Sequence, residues 1–158
     1  MNNQHYYNMF VEACGQTVRP ELLKFKLDYF ASLKSEAVYC PYTGELLTPD
    51  NADSEYTAPQ TLDAIVRLFL KKHPLDYTKV QYAINAANRQ TLADPALVAL
   101  WAKFHWKRAK LRLISQSDIV SYEPNDRALT YRETLRAEMV ASGWVSKGSP
   151  TVAKGKTA

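Results

Sequence analysis

The sequence predicts an α+β chain, mostly helical, with one short two-stranded β-hairpin. Three observations carry this reading. Apolar residues recur three and four positions apart in several stretches, most clearly in PQTLDAIVRLFLKKH. Two short runs, AVYC and LRLIS, are β-prone instead. Clusters of Pro, Gly, Asn, Asp and Ser separate these segments.

Residues 1–18 are polar and aromatic without a clear period and are read as an N-terminal extension. After Pro20 the run ELLKFKLDYFASLK predicts a helix. Leu23, Leu27 and Phe30 recur at four and three residues, and Leu22, Tyr29 and Leu33 widen the stripe. Pro20 suits a first helical turn, where its missing N–H would lack a partner anyway. AVYC followed by PYTG places a strand or hairpin across 37–47, with Thr43-Gly44 shaping the turn. TPDNADSEYTAP, rich in turn formers, is expected to be loop.

The next helix is the most strongly marked. Leu62, Ile65, Val66, Phe69 and Leu70 form its apolar face, Lys71, Lys72 and His73 oppose the negative helix end, and Pro74 stops it. Tyr77, Val80, Tyr82 and Ile84 predict a further short helix to about Asn88. Asp94-Pro95 is an N-cap with a first-position proline, and it opens a helix whose stripe is Leu97, Leu100, Trp101 and Phe104. LRLIS (111–115) alternates as a strand does, and 118–124 is extended or loop. Thr130-x-x-Glu133 is a capping box for a helix ending near Ala141, before Gly143. The basic tail, 146–158, is too small and polar to offset ordering entropy and is expected to be disordered. One domain over 19–145 accounts for the rest of the 158 residues.

Composition excludes some classes of function. Apolar content is 46%, and no apolar run reaches the roughly 18 residues needed to span a bilayer. MNNQHYYNMF lacks the basic start and apolar core of a secretory signal, so the expected location is cytoplasmic. Cys14 and Cys40 could pair, but that setting argues against a disulfide, and two cysteines alone cannot make a four-ligand zinc site. They are expected to be small buried apolar residues. Net charge is +4, which alone proves no polyanionic partner. Its distribution says more: Lys103, Lys107, Arg108, Lys110 and Arg112 lie between Trp101 and Ser117 with no acid among them.

Several motifs resemble HNH-type (ββα-metal) endonucleases. They are Cys40-Pro41-Tyr42-Thr43-Gly44-Glu45-Leu46-Leu47-Thr48, Pro59-Gln60-Thr61-Leu62-Asp63-Ala64-Ile65-Val66 with Phe69-Leu70, Trp101-Ala102-Lys103-Phe104-His105, and Leu111-Arg112-Leu113-Ile114-Ser115. The likeness is to a bacterial and phage branch, some of whose modules sit behind DCL-type domains. There C-P-x-T-G-E-x-L-T precedes an acidic-His pair. It covers about Pro20 to Tyr122 and implies a ββα-metal-like core over the hairpin. In such nucleases a divalent metal bridges the scissile phosphate, and an imidazole deprotonates the attacking water.

The departures from that pattern decide the reading. The acidic-His pair falls on Glu55-Tyr56, and the pattern's asparagine falls near Asp118. The helix after Thr130 has no histidine, and Glu133 and Glu138 are its only possible ligands. Glu55 could still bind a hard cation, with Asp53 (and Asp50 nearby) as neighbours, but tyrosine, with a pKa near 10, is a poor base. Loss of a positioned base typically costs about 10² to 10⁴ in rate. His105 is expected to be a packed or hydrogen-bonded structural residue on another helix.

The expectation is therefore a catalytically degenerate HNH-like protein of phage or mobile-element origin, more a pseudo-enzyme than an enzyme. It would bind nucleic acid, DNA rather than RNA, through Lys103, Trp106, Lys107, Arg108, Lys110 and Arg112. Trp106 falls off the apolar stripe, where it could stack on a base or anchor a protein interface. Two other readings stay open: an effector or inhibitor that docks on a host or defence enzyme, and an endonuclease with atypical ligands. No cofactor is expected, or Mg2+ or Mn2+ if the chain is active. No membrane partner is expected, and the oligomeric state is left open.

Overall fold

The longest element is one helix, α1 (Asn3–Ser32), and its span corrects two expectations at once. The supposed N-terminal extension is helical, and Pro20 lies inside the helix rather than at its start. The period was masked because the buried positions are unusual ones. Tyr7, Phe10, Cys14 and Val18 recur at three and four residues, but one is a phenol and another is small. After Pro20 the buried face continues through Leu22, Leu23 and, unexpectedly, Lys26. Proline removes one N–H from the ladder, so α1 carries a local break in its hydrogen bonding there.

The computed structural model describes residues 2–116, 120–122 and 128–144. Among these the order is α1, β1 (Ala52–Tyr56), α2 (Leu62–Lys72), a single 3-10 turn (Tyr77–Lys79), β2 (Tyr82–Ile84), β3 (Gln90–Leu92), α3 (Pro95–Arg108), β4 (Leu111–Ser115), β5 (Val120–Tyr122), β6 (Ala128–Thr130) and α4 (Tyr131–Ala141). The class is α+β and mostly helical. The strands pair as three separate two-stranded sheets, β1–β4, β2–β3 and β5–β6. Asp118 and the tail from 146 lie outside the described residues, as do the side chains of Thr130 and Glu133. None of the described helices is long and apolar enough to cross a membrane.

The chain divides into two compact units, each built from two separate stretches of sequence. One comprises Met1–Arg19 with Tyr56–Leu111, the other Pro20–Glu55 with Arg112–Ala158.

In the first unit α2 forms as the sequence predicts. Thr61 caps it by accepting from the Ala64 N–H at 3.1 Å, and Ile65, Val66 and Phe69 are buried. Asp94 caps α3 with Pro95 in its first turn, and Trp101, Phe104 and His105 are buried. Phe69 meets the Trp101 and Phe104 rings edge-on at 5.4 and 5.3 Å. Trp101 Nε1 donates to the Cys14 carbonyl at 2.9 Å, which satisfies a buried donor. Leu100, expected in the stripe, is 40% exposed, because the helix turns His105 inward instead. The helix expected over 77–88 is a 3-10 turn followed by the β2–β3 hairpin. Tyr82 pairs with Leu92 and Ile84 with Gln90. Asn85 closes the hairpin by accepting from the Ala87 and Arg89 N–H groups, and Asn88 takes φ +60°. Local turn chemistry won over a helical spacing that was only approximate.

In the second unit the 37–47 hairpin is present in minimal form. Tyr39 and Leu46 bridge, Cys40 N–H bonds the Glu45 carbonyl at 2.8 Å, and Gly44 takes φ +74°. The stretch expected as loop contains β1. Hydrogen bonds at the two ends of its ladder, Gln116 N–H to Asn51 O and Thr57 N–H to Lys110 O, make β1 and β4 antiparallel. Cys40, Leu47, Ala52, Leu113 and Ile114 form one buried cluster, with Phe25, Phe30 and Val38 against it. Leu23, Leu135 and Met139 form another, beside Leu27 and Trp144. α4 ends at Ala141 before Gly143, at φ +80°, with Trp144 N–H returning to the Met139 carbonyl.

Candidate functional site

Tyr56 ends β1, and its hydroxyl lies 2.8 Å from His105 Nε2. The rings meet edge to face at 5.7 Å. His105 is fully buried between Tyr56, Trp101 and Trp106, and its Nδ1 has no hydrogen-bond partner among the described residues. Burial disfavours charge on both groups, raising the Tyr56 phenol and pushing the His105 imidazole down to about 4. A phenol that resists ionisation and a weakly basic, water-excluded imidazole are poor proton acceptors at neutral pH. His105 is packed and hydrogen-bonded within the first unit.

Glu55 is the preceding strand residue, and a strand sends successive side chains to opposite faces. Its carboxylate accepts from the Tyr42 hydroxyl at 2.6 Å and from Arg112 Nε and Nη2 at 2.9 and 2.7 Å. Arg112 Nη2 also donates to Tyr42, and its guanidinium stands 4.7 Å from the centre of that ring. The Tyr42 hydrogen bond, then Arg112, hold the Glu55 carboxyl below its ordinary range against the opposing effect of burial. Arg112, one of the residues expected to bind, is thus tied to Glu55 within the second unit.

Asp53 turns back on its own strand, where its Oδ1 accepts from the Ser54 N–H at 2.8 Å. Among the described residues no group of three or more His, Cys, Asp or Glu comes together to hold a metal ion. Glu138 lies half-buried on α4, and Asp118 falls outside the described residues.

A second cluster stiffens the same unit. Asn51 is buried. Its amide donates to Glu45 Oε2 and the Leu46 carbonyl at 3.1 and 3.0 Å, and its oxygen accepts from the Thr48 N–H at 2.8 Å. Ser115 Oγ donates to the other Glu45 oxygen at 2.6 Å. Sequence reasoning saw only turn composition at Asn51; the signal was an Asn two residues past a Pro, between two β-prone runs. Both cysteines are buried and free. Burial would raise the Cys40 thiol, but hydrogen bonds from Ser115, Thr43 and Tyr42 outweigh it and bring it down to about 7.

The solvent side of α3 is the remaining candidate. Lys103, Trp106 and Lys107 sit at i, i+3 and i+4, and Lys110 follows two residues after the helix ends; all four are exposed. Trp106 is 37% exposed, with its ring held edge to face by His105 at 4.5 Å. Arg108 is half-buried. It lies 3.6 Å over the Phe104 ring and donates to the Phe104 carbonyl, so it serves the helix end first. Among the described residues no acid pairs with Lys103, Lys107 or Lys110.

No protein-family profile, curated protein or solved structure matches this chain. The likeness to HNH-type endonucleases rests on the residues that carry it.

Proposed function

We propose that this chain is an HNH-derived, cytoplasmic protein of phage or mobile-element origin that binds nucleic acid, DNA in preference to RNA, and does not cut it. One observation carries the reading. Lys103, Trp106, Lys107 and Lys110 form an exposed basic and aromatic face on the C-terminal half of α3, with no acid paired to any of the three lysines among the described residues. Lysines release condensed counterions when they meet phosphates, and an exposed indole adds a surface for a base. Against cleavage stand the buried Tyr56–His105 pair and a Glu55 carboxylate engaged by Tyr42 and Arg112.

Three lysines imply a slope of log affinity against log salt of about −3 on duplex DNA. Fluorescence anisotropy with a labelled duplex across a potassium chloride series tests this. Lys107→Ala and Lys110→Ala are each expected to flatten the slope by about one. The competing reading is an effector docked on a host protein through Trp106, which shares the exposed ring. Absent or salt-insensitive DNA binding, together with a protein partner lost in Trp106→Ala, would favour that effector.

A further inference from the structure

A concave site of about 480 Å³ lies wholly within the first unit and shares no lining residue with the α3 face or the Tyr56–His105 pair. Asn3, Gln4 and Tyr7 from the first turns of α1 form one wall. Arg67, Leu70 and Lys71 from α2 form another, and Tyr77 of the 3-10 turn closes it. Small-molecule sites commonly enclose about 300–1,000 Å³, so this volume suits a ligand larger than a bare inorganic ion.

The chemistry of the walls narrows the class. Tyr7 is buried and meets Tyr77 edge to face at 5.7 Å and 71°, so it props the half-buried Tyr77 ring at the cavity wall. Arg67 stands 4.8 Å from the centre of the Tyr7 ring. The nearest acid, Asp63, is consumed: one oxygen accepts the Tyr7 hydroxyl at 2.7 Å, the other Arg67 Nε at 2.7 Å. Fixing Arg67 through Nε orients its guanidinium while leaving the outer nitrogens to donate elsewhere. Lys71, one turn on, is exposed and pairs with no acid among the described residues. A cation would meet two like charges here, and a purely apolar ligand would desolvate them without return. A flat ring carrying a phosphate answers both features at once.

We infer that this cleft binds a planar aromatic phosphate of nucleoside monophosphate size, with the ring on Tyr77 and the phosphate on Arg67 and Lys71. The same chemistry could come from a free mononucleotide or from the 5′ end of a strand. Calorimetric titration of the intact chain with AMP tests it, with adenosine and inorganic phosphate as the two halves of the ligand. AMP is expected to bind saturably at one site, and each half at least about tenfold more weakly, because each forfeits one set of contacts. Lys71→Gln, an exposed substitution, is expected to weaken AMP about tenfold, the lower end for one charge-assisted contact. Lys107→Ala on α3 is expected to leave AMP unchanged, which separates this site from the proposed nucleic-acid face. Displacement of AMP by a 5′-phosphorylated dinucleotide would assign the strand end as the source, and failure to displace it a free nucleotide. No saturable AMP binding, adenosine binding as tightly as AMP, or an affinity unmoved by Lys71→Gln would overturn the inference.

Discussion

Lowering the pH from 7 to 5 should destabilise this protein through His105, and the size of the loss follows from its burial. The imidazole is fully buried, and its acidity is displaced from 6.5 to about 4 by desolvation. Between those values the unfolded chain binds a proton that the folded chain refuses, so stability is fully present above 6.5 and falls as pH drops toward 4. At about 1.4 kcal/mol per pH unit, and with half-titration at the upper end, the loss from pH 7 to 5 comes to about 2 kcal/mol. Urea unfolding followed by tryptophan fluorescence at the two pH values measures it, with His105→Gln as the reference that cannot titrate. The wild type should lose about 2 kcal/mol more than the variant over that interval. Equal losses in both proteins would refute the assignment of His105 as a buried neutral group.

Tyr56→Phe removes the hydroxyl that bonds His105 Nε2 and should cost about 1–3 kcal/mol in the same assay at pH 7. Lys26→Ala strips a buried ammonium from the Pro49 and Ala52 carbonyls, which it holds at 2.9 and 3.2 Å, and should cost about 2–4 kcal/mol. Asn51→Ala opens three hydrogen bonds at once and should lower thermal stability by about 2–3 kcal/mol, read by calorimetry. Added Mg2+ or Mn2+, and EDTA alike, should leave the melting temperature unmoved, since Glu55 already serves Arg112 and Tyr42; a metal-dependent rise lost in Glu55→Gln would contradict this.

The sequence disclosed those features whose signal is local. α2 and α3 declared themselves through caps at Thr61 and Asp94 and a clean apolar spacing, and the turn at Gly44 through its need for a positive φ. The first half of α1 was hidden because its inward face mixes tyrosine, alanine and cysteine, residues that do not read as an apolar stripe. β1 was hidden because ADSEY is polar and is a strand only by pairing with β4, a partner 55 or more residues away in sequence. The same holds for the site. Exposure of Lys103, Trp106 and Lys107 follows from helical phase and could be read directly. The Tyr56–His105 contact and the capture of Arg112 by Glu55 are long-range (49 and 57 residues apart) and no periodicity reports them.

The central claim, attachment to nucleic acid without cleavage, is tested most directly by incubating supercoiled plasmid with the protein and Mg2+, then resolving the DNA before and after proteolysis. The account predicts retarded plasmid that returns, after proteolysis, to the supercoiled position with no new nicked circles. Nicked product that appears with the wild type and disappears with Glu55→Ala would contradict it.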